Sequence, residues 1–186
     1  MKARQILHNL VVAALLPFFA WGLPAAAQTE KLDELFAELS GADARRAARI
    51  EREIWAEWSK SGSPAMDLLL QRGRDALAEG DYALAIEHLT ALTDHAPDFA
   101  EGWNALATAY FQAGDYGPSV EDIARTLTLN PRHFGALSGL GAIFEELGDP
   151  ERALEAYKAA LAIHPRLEEV SEAVKRLEAD RAGQEL

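Results

Sequence analysis

Apolar positions between residues 66 and 167 recur at steps of three, four and seven, the spacing of a helix that is buried along one side. In the middle of this stretch one such stripe ends at Gly114, and a second stripe follows and ends at Asn130-Pro131. The first stripe consists of Trp103, Leu106, Ala107 and Tyr110, and the second of Val120, Ile123, Leu127 and Leu129. The pattern therefore predicts two amphipathic helices joined by a turn.

The same pattern returns at a step of 34 residues. Each step carries one turn glycine and one proline to the next unit: Gly80, Gly114 and Gly148, then Pro97, Pro131 and Pro165. Self-similarity at such a period is typical of stacked helical hairpins, because no single hairpin buries its apolar face alone. We therefore predict an all-α solenoid of antiparallel helix pairs, with units at residues 66–99, 100–133 and 134–167.

Local signals predict where the helices begin, end and approach one another. Glycine enters the left-handed conformation without a steric penalty, so Gly114 should end the first helix of its unit. Asp98 is the expected N-cap of that helix, and Glu101 three residues later would complete a capping box. Small residues such as Gly73 and Gly141 fall where the two helices of a hairpin must approach closely.

The middle unit resembles the tetratricopeptide repeat, whose signature is Trp-x2-Leu-Gly-x2-Tyr, then Ala-x3-Phe, then Pro. The matching residues are Trp103, Leu106, Tyr110 and Pro131, and the departures are Ala107, Ser119 and Ile123. The resemblance implies a right-handed superhelix whose first helices line a concave, peptide-binding groove. Family positions carried onto this chain predict partner contacts at Leu70, Arg74, Leu77, Asn104, Thr108, Phe111, Ser138, Ala142 and Glu145.

One tetratricopeptide subfamily grips the C-terminal carboxylate of chaperones with lysine, asparagine and arginine side chains. The corresponding positions here are Leu70, Arg74, Ala105, Gly135 and Gly139, of which only Arg74 is cationic. The resemblance therefore does not extend to that clamp. It favours a partner with an apolar anchor, an amide contact to Asn104 and some basic character to suit Glu145 and Glu146.

Both ends of the array carry further helical patterns. After the third unit, a one-sided apolar stripe predicts a C-terminal capping helix over residues 168–180. The apolar pattern of residues 28–62 predicts an N-terminal helical hairpin or cap. Trp55 and Trp58 lie 34 residues before Leu89 and Leu92, so we expect a degenerate fourth hairpin in register with the array. The two tryptophans would then fill the end of the superhelix or form a partner or self-association surface.

Residues 1–27 have the three parts of a secretory signal peptide. Lys2 and Arg4 give a basic start, an apolar stretch runs from Leu10 to Leu23, and small residues follow up to Ala27. We expect cleavage after Ala27, export to the periplasm and no stable membrane insertion afterwards. The alternative is an uncleaved leader that anchors the chain to the inner membrane, although the apolar run is shorter than the roughly 20 residues of a spanning helix.

Composition excludes several functions. The net charge of −12 gives an acidic surface that repels phosphate backbones, so no nucleic-acid partner is expected. With no cysteine and no pair of histidines at metal-binding spacing, the sequence predicts no cofactor and no metal site. His95, His133 and His164 lie near the inter-repeat turns, and we expect them to be distant from one another. No catalytic constellation is present, so we predict that the protein is not an enzyme.

These observations favour an exported scaffold or adaptor that binds a peptide segment of an envelope protein in its concave groove. A periplasmic holdase chaperone, which would use the same groove for unfolded chains, is the alternative. A subunit of a carbohydrate-processing or wall-synthesis complex is a third class. Recovery of a single defined partner would favour the adaptor, whereas suppressed aggregation of unrelated clients would favour the chaperone.

Overall fold

The computed structural model describes the backbone of residues 23–184 and the side chains of residues 28–183, and the regular structure in this part of the chain is all helical. The helices are α1 (Leu23–Ser40), α2 (Ala44–Trp58), α3 (Pro64–Glu79), α4 (Tyr82–His95), α5 (Ala100–Ala113), α6 (Tyr116–Leu129), α7 (Phe134–Glu146), α8 (Pro150–Ile163) and α9 (Glu168–Gln184). Apart from the backbone of residues 23–27, the predicted leader lies outside the described residues. None of the described helices is long and apolar enough to cross a lipid bilayer.

Helices α3 to α8 form the three predicted units, which confirms the helical solenoid. The two helices of each unit pack along each other, and each unit packs against the next. Helix α5 also contacts both α3 and α7 directly, so the first helices of the units form one continuous wall. Helix α9 packs on α8 as the predicted C-terminal cap, and it extends to Gln184.

The turn glycines adopt the predicted left-handed conformation. Gly80 has a φ of 77° and Gly114 a φ of 82°, which other residues adopt only with strain. After the glycine, the backbone hydrogen-bonds to the preceding helix. The N–H of Asp115 donates to the carbonyl of Tyr110 at 2.9 Å. This bond satisfies a carbonyl that the end of α5 would otherwise leave without a partner.

Small residues allow the two helices of each hairpin to approach closely, as predicted. A Cβ at Gly73 would overlap the Leu89 side chain, and a Cβ at Gly141 would overlap the Tyr157 ring. In the middle unit, buried Ser119 donates its hydroxyl to the carbonyl of Ala107 at 2.7 Å. The bond satisfies a hydroxyl that would be costly to bury alone.

The predicted capping box at the start of α5 is wrong. Phe99 occupies the N-cap position, no side chain caps this helix, and the Asp98 side chain is 93% exposed. Glu101 is only 2% exposed and pairs with Arg74 and His133. The spacing of a capping box is present, but tertiary ion pairing takes the carboxylate instead.

The N-terminal hairpin forms as predicted, but it does not lie where the period places it. The apolar sides of α1 and α2 share a core with Phe134 at the start of α7, and Ile163 and Leu167 pack against it. No residue of α3 or α4 belongs to this core. The prediction of a fourth hairpin in register is therefore wrong, and so is the interpretation of Trp55 and Trp58 as filling the end of the superhelix.

Asp122 on α6 has a buried carboxylate oxygen, Oδ2, without a hydrogen-bond partner among the described residues. Burial, reinforced by the negative charge of Glu121, raises the pKa of Asp122 from 3.8 to about 6. The folded protein therefore holds this proton more tightly than the unfolded chain does. The ionised group destabilises the fold fully above pH 6, and this penalty declines as the pH falls through 6 towards 3.8.

We expect Asp122→Asn to raise the free energy of unfolding at pH 7.5, and this gain to shrink by about 1 kcal/mol at pH 5 after allowance for solvent screening. Urea denaturation at the two pH values measures the difference between the variant and the unchanged protein. Glu121→Gln should give a smaller pH-dependent gain, since it removes only the neighbouring charge and leaves the buried Asp122 carboxylate in place. An equal gain at both pH values would contradict the raised pKa.

Candidate functional site

Helix α2 lays one stripe of side chains against the start of α7 and the turns between units. Glu51, Trp55 and Trp58 share a helix face because steps of four and three return to the same side. The Trp58 ring stacks on His133, with 4.3 Å between centroids and 16° between planes, and Trp55 meets the same imidazole edge-on at 5.4 Å. Both indoles also contact Phe134. We call Glu51, Trp55 and Trp58 the α2 stripe.

Gly135 provides the space that the Trp55 ring occupies. A Cβ at this position would lie 2.6 Å from Cη2 and 2.8 Å from Cζ2 of Trp55, distances at which atoms overlap. At Gly139, one turn later on α7, the nearest atom to an added Cβ is Cδ1 of Ile123 at an ordinary 3.8 Å. The requirement for glycine at position 135 is therefore imposed by α2 and does not extend to Gly139.

A chain of polar groups joins α2 to the array. Arg74 Nη2 donates to Glu101 Oε1 at 2.5 Å, and Arg74 Nη1 donates to Ser59 Oγ at the end of α2 at 3.0 Å. His133 Nε2 donates to Glu101 Oε2 at 2.8 Å, because His133 Nδ1 already accepts from the backbone N–H of Ala136 at 3.0 Å. The Glu101 and His133 side chains are 2% and 0% exposed. The network therefore ties together α2, α3, α5 and the N-cap of α7.

A second histidine meets the other end of the α2 stripe. His164 Nδ1 accepts from the backbone N–H of Arg166 at 3.2 Å, so the proton on Nε2 points to Glu51 Oε2 at 3.3 Å. Hydrogen bonding to His164 is the largest cause that lowers the pKa of Glu51 below its ordinary value. The Phe134 ring packs edge-on against His164 at 5.0 Å. Arg166 Nε also donates to the carbonyl of Ala42 before α2 at 3.3 Å.

Two of the three turn histidines contact the same helix, α2, at different positions of its stripe. His133 and His164 line one surface that receives the α2 stripe, while His95 is exposed. We call His133, Phe134, Gly135 and His164 the α7 seat. The sequence signal for this surface was the pair Phe134-Gly135, an aromatic residue followed by a glycine at the start of the third unit. The period alone does not say which segment packs there.

Comparison with known proteins establishes the family. Residues 70–118 and 105–168 match the tetratricopeptide repeat family. A TPR repeat-containing protein of Rhizobium etli is 38% identical over 155 residues, which cover 83% of this chain and 76% of that protein. The chain belongs to the tetratricopeptide repeat family.

Two solved structures share the fold. The first tetratricopeptide domain of Spaghetti, bound to an HSP90 peptide, matches 63% of this chain and 93% of its own length, with a TM-score of 0.60 and 24% identity. The MamA protein matches 85% of this chain and 84% of its own length, with a TM-score of 0.58 and 20% identity. At these identities the likeness concerns the fold alone.

Four of the nine predicted tetratricopeptide groove residues are engaged inside the protein. Leu70 is 2% exposed in the core of the first two units, so it offers no surface to a partner. Arg74 bridges Ser59 and Glu101, and the Asn104 amide lies 3.3 Å from a Glu101 carboxylate oxygen. Ser138 donates to the carbonyl of Phe134 at 2.8 Å and borders a cavity beside Trp55. These four residues belong to the side of the tetratricopeptide groove that α2 approaches, or to the core beneath it.

The other five predicted residues are Leu77, Thr108, Phe111, Ala142 and Glu145, and we call them the open half of the groove. Thr108 is exposed, and the other four are partly exposed. None of the five belongs to the core that the hairpin forms with α7 or borders the cavities beside it. Glu145 accepts hydrogen bonds from Tyr157 at 2.8 Å and Arg176 at 2.6 Å, so its carboxylate is held in place.

Proposed function

We propose that this protein is a non-catalytic scaffold that binds a peptide segment of an envelope protein in the open half of its concave groove. The proposal rests on the division of the groove into a part that α2 covers and a part that stays open. The α2 stripe fills the α7 seat, whereas Leu77 and Phe111 remain partly exposed apolar side chains on the wall formed by α3, α5 and α7. Apolar side chains that stay accessible on a concave wall are suited to anchoring a ligand.

The shared fold supports a peptide as the ligand class. The Spaghetti domain, which has the same fold, binds an HSP90 peptide. Recognition of a C-terminal carboxylate is not favoured here. The single cation at the clamp positions, Arg74, is already paired with Glu101, and the Trp55 ring occupies the space at Gly135. An apolar side chain of the partner between Leu77 and Phe111 is the contact that the remaining surface favours.

Export to the envelope is part of the proposal and is supported by the sequence of residues 1–27, with its basic start, apolar stretch and terminal Ala25-Ala26-Ala27. Fractionation of cells that carry a C-terminally tagged chain tests the location. Sequencing of the N-terminus then decides between a cleaved leader and an anchor. A mature chain that starts at Gln28 in the periplasmic fraction is the expected result, and a full-length chain in the cytosol would contradict export.

Capture of the partner should depend on Phe111. A photoreactive amino acid in place of Thr108 should crosslink a defined protein, and Phe111→Ala should reduce that yield about fivefold or more, because truncation of an aromatic anchor costs about 1–3 kcal/mol. Leu147→Ala is the matched control, since Leu147 is an apolar side chain, 55% exposed, outside the groove. Equal capture by Phe111→Ala and by the control would contradict binding in the open half.

The same crosslinking separates the scaffold from the holdase chaperone. One or a few partners, recovered reproducibly, support the scaffold. A broad set of unrelated unfolded proteins, together with suppressed aggregation of added clients, would favour the chaperone instead. A photoreactive residue in place of Glu121, which is exposed on α6, reports the background of non-specific contacts.

A further inference from the structure

Gln28, the expected first residue of the mature chain, lies within α1. This helix begins at Leu23, so cleavage after Ala27 leaves a helix that starts at Gln28. The backbone nitrogens in the first turn of a helix have no hydrogen-bond partner within that helix. The new α-amino group at Gln28 is therefore not needed for the hydrogen bonds of α1.

The Gln28 side chain carries an amide that its own α-amino group can reach. It is half-buried at the edge of the cleft beside Pro97 and Pro131, and its Nε2 donates to the backbone carbonyl of Glu57 at 2.5 Å. Rotation of the side chain away from Glu57 brings the amide carbon, Cδ, to the α-nitrogen of the same residue. Glutamine has the length that closes an unstrained lactam ring.

The surroundings of the new terminus disfavour a positive charge. The pKa of an α-amino group is ordinarily about 8, so part of the group is uncharged and nucleophilic at neutral pH. Lys31 lies one turn later in α1, and it shares the Glu57 carboxylate with Lys60. The N-terminal end of a helix also carries a partial positive charge. A reaction that makes the terminus neutral therefore removes an unfavourable charge from the start of α1.

We propose that Gln28 is a modification site, at which the mature chain cyclises to an N-terminal pyroglutamate. The α-nitrogen attacks Cδ of the Gln28 side chain and forms the N–Cδ bond. The Cδ–Nε2 bond breaks, and Nε2 leaves as ammonia with the proton that the α-nitrogen gives up. No oxidant or second reactant is required. The inference rests on the proposed function, because Gln28 becomes terminal only when the leader is cleaved after Ala27.

The modification would protect α1 from exopeptidases. Aminopeptidases require a free α-amino group, which the lactam lacks. Loss of ammonia removes the side-chain bond to the Glu57 carbonyl, but Lys31 keeps its pair with the Glu57 carboxylate. Trimming beyond this turn would remove Leu32 and Leu35, which pack in the core of the N-terminal hairpin. A blocked terminus therefore preserves the contacts that hold α1 on α2.

Intact-mass spectrometry of the full-length chain tests the modification. The chain is expressed with its leader and a C-terminal tag and purified from the periplasm. We expect most of it to have the mass of tagged residues 28–186 less one ammonia molecule, with the loss confined to the N-terminal peptide. Gln71 and Gln112 are internal controls, since both are exposed but their backbone nitrogens are unreactive amides. Mass spectrometry is required because a lactam blocks chemical sequencing.

Gln28→Met is the matched control variant, because methionine has a similar length and no amide. It should keep its full mass. On isoelectric focusing the unchanged chain should move to a more acidic position than this variant, since cyclisation removes one positive charge. An added aminopeptidase should shorten the variant and leave the unchanged chain intact.

The outcomes separate this inference from the proposed function. A mature chain that starts at Gln28 and keeps its full mass after prolonged incubation at neutral pH would overturn the modification and leave export intact. A leader that is uncleaved, or cleaved at another residue, would overturn both the modification and the proposed cleavage. Binding in the open half is read separately, from crosslinking at Thr108 and its loss in Phe111→Ala.

Discussion

Gly135→Ala should lower the free energy of unfolding by about 1–3 kcal/mol, although alanine is the better helix former. The added methyl group would lie 2.6 Å from the Trp55 ring, so either the ring or the backbone of α7 must move. The indole is a rigid ring that packs edge-on against Trp58, His133 and Phe134. Overlap of this kind is relieved only by loss of part of the hairpin contact.

Gly139→Ala is the matched control for that substitution. It adds the same methyl group to the same helix, and the nearest atom lies at 3.8 Å. Without overlap, the helix propensity of alanine should raise the free energy of unfolding by about 0.5–1 kcal/mol. Urea denaturation followed by tryptophan fluorescence compares the two variants. Changes of equal sign in both would contradict the contact between Trp55 and Gly135.

Glu101→Ala should lower the free energy of unfolding by about 3 kcal/mol. Removal of this carboxylate leaves the fully buried His133 without its acceptor and Arg74 without its counter-ion. Since the Arg74 side chain is 40% exposed, water recovers part of its hydration, and the loss stays near the lower end for a buried ion pair. Glu101→Gln keeps one acceptor and should lose less.

Asp98→Ala provides the control for the loss at Glu101. The two acidic residues are three positions apart, yet the Asp98 side chain is 93% exposed and caps no helix. We expect Asp98→Ala to change the free energy of unfolding by less than about 0.5 kcal/mol. Denaturation by urea at pH 7.5 measures both variants. A larger loss for Asp98→Ala than for Glu101→Ala would restore the capping box and contradict the buried network.

The repeat units could be predicted from the sequence because their determinants are local. Turn glycines such as Gly114 and small residues such as Gly73 act on neighbours within one hairpin, and the period carries each signal to the next unit. The apolar stripes of its helices also predict the N-terminal hairpin. Its existence was therefore accessible before the structure, although α1 begins at Leu23, earlier than the predicted start at residue 28.

The position of that hairpin could not be predicted from the sequence in the same way. Trp55 and Trp58 keep the 34-residue register whether α2 stacks on α3 or lies against α7, so the period does not distinguish the two arrangements. Glu101 satisfies the spacing of a capping box and yet pairs with side chains 27 and 32 positions away. Contacts at such separations depend on tertiary packing, which overrides the local pattern.

The position of α2 divides the groove. The α2 stripe covers the α7 seat, whereas Leu77 and Phe111 stay partly exposed.

Nuclear Overhauser effects of the Trp55 ring test the central claim most directly, namely that α2 lies against the start of α7. A sample with labelled tryptophan, glycine and leucine reports whether the Hη2 proton of Trp55 is close to the Hα protons of Gly135. A strong effect between these protons, lost in Trp55→Ala, is the predicted result. Effects from Trp55 to Leu69 on α3, without any to Gly135, would show a fourth hairpin in register and contradict the account.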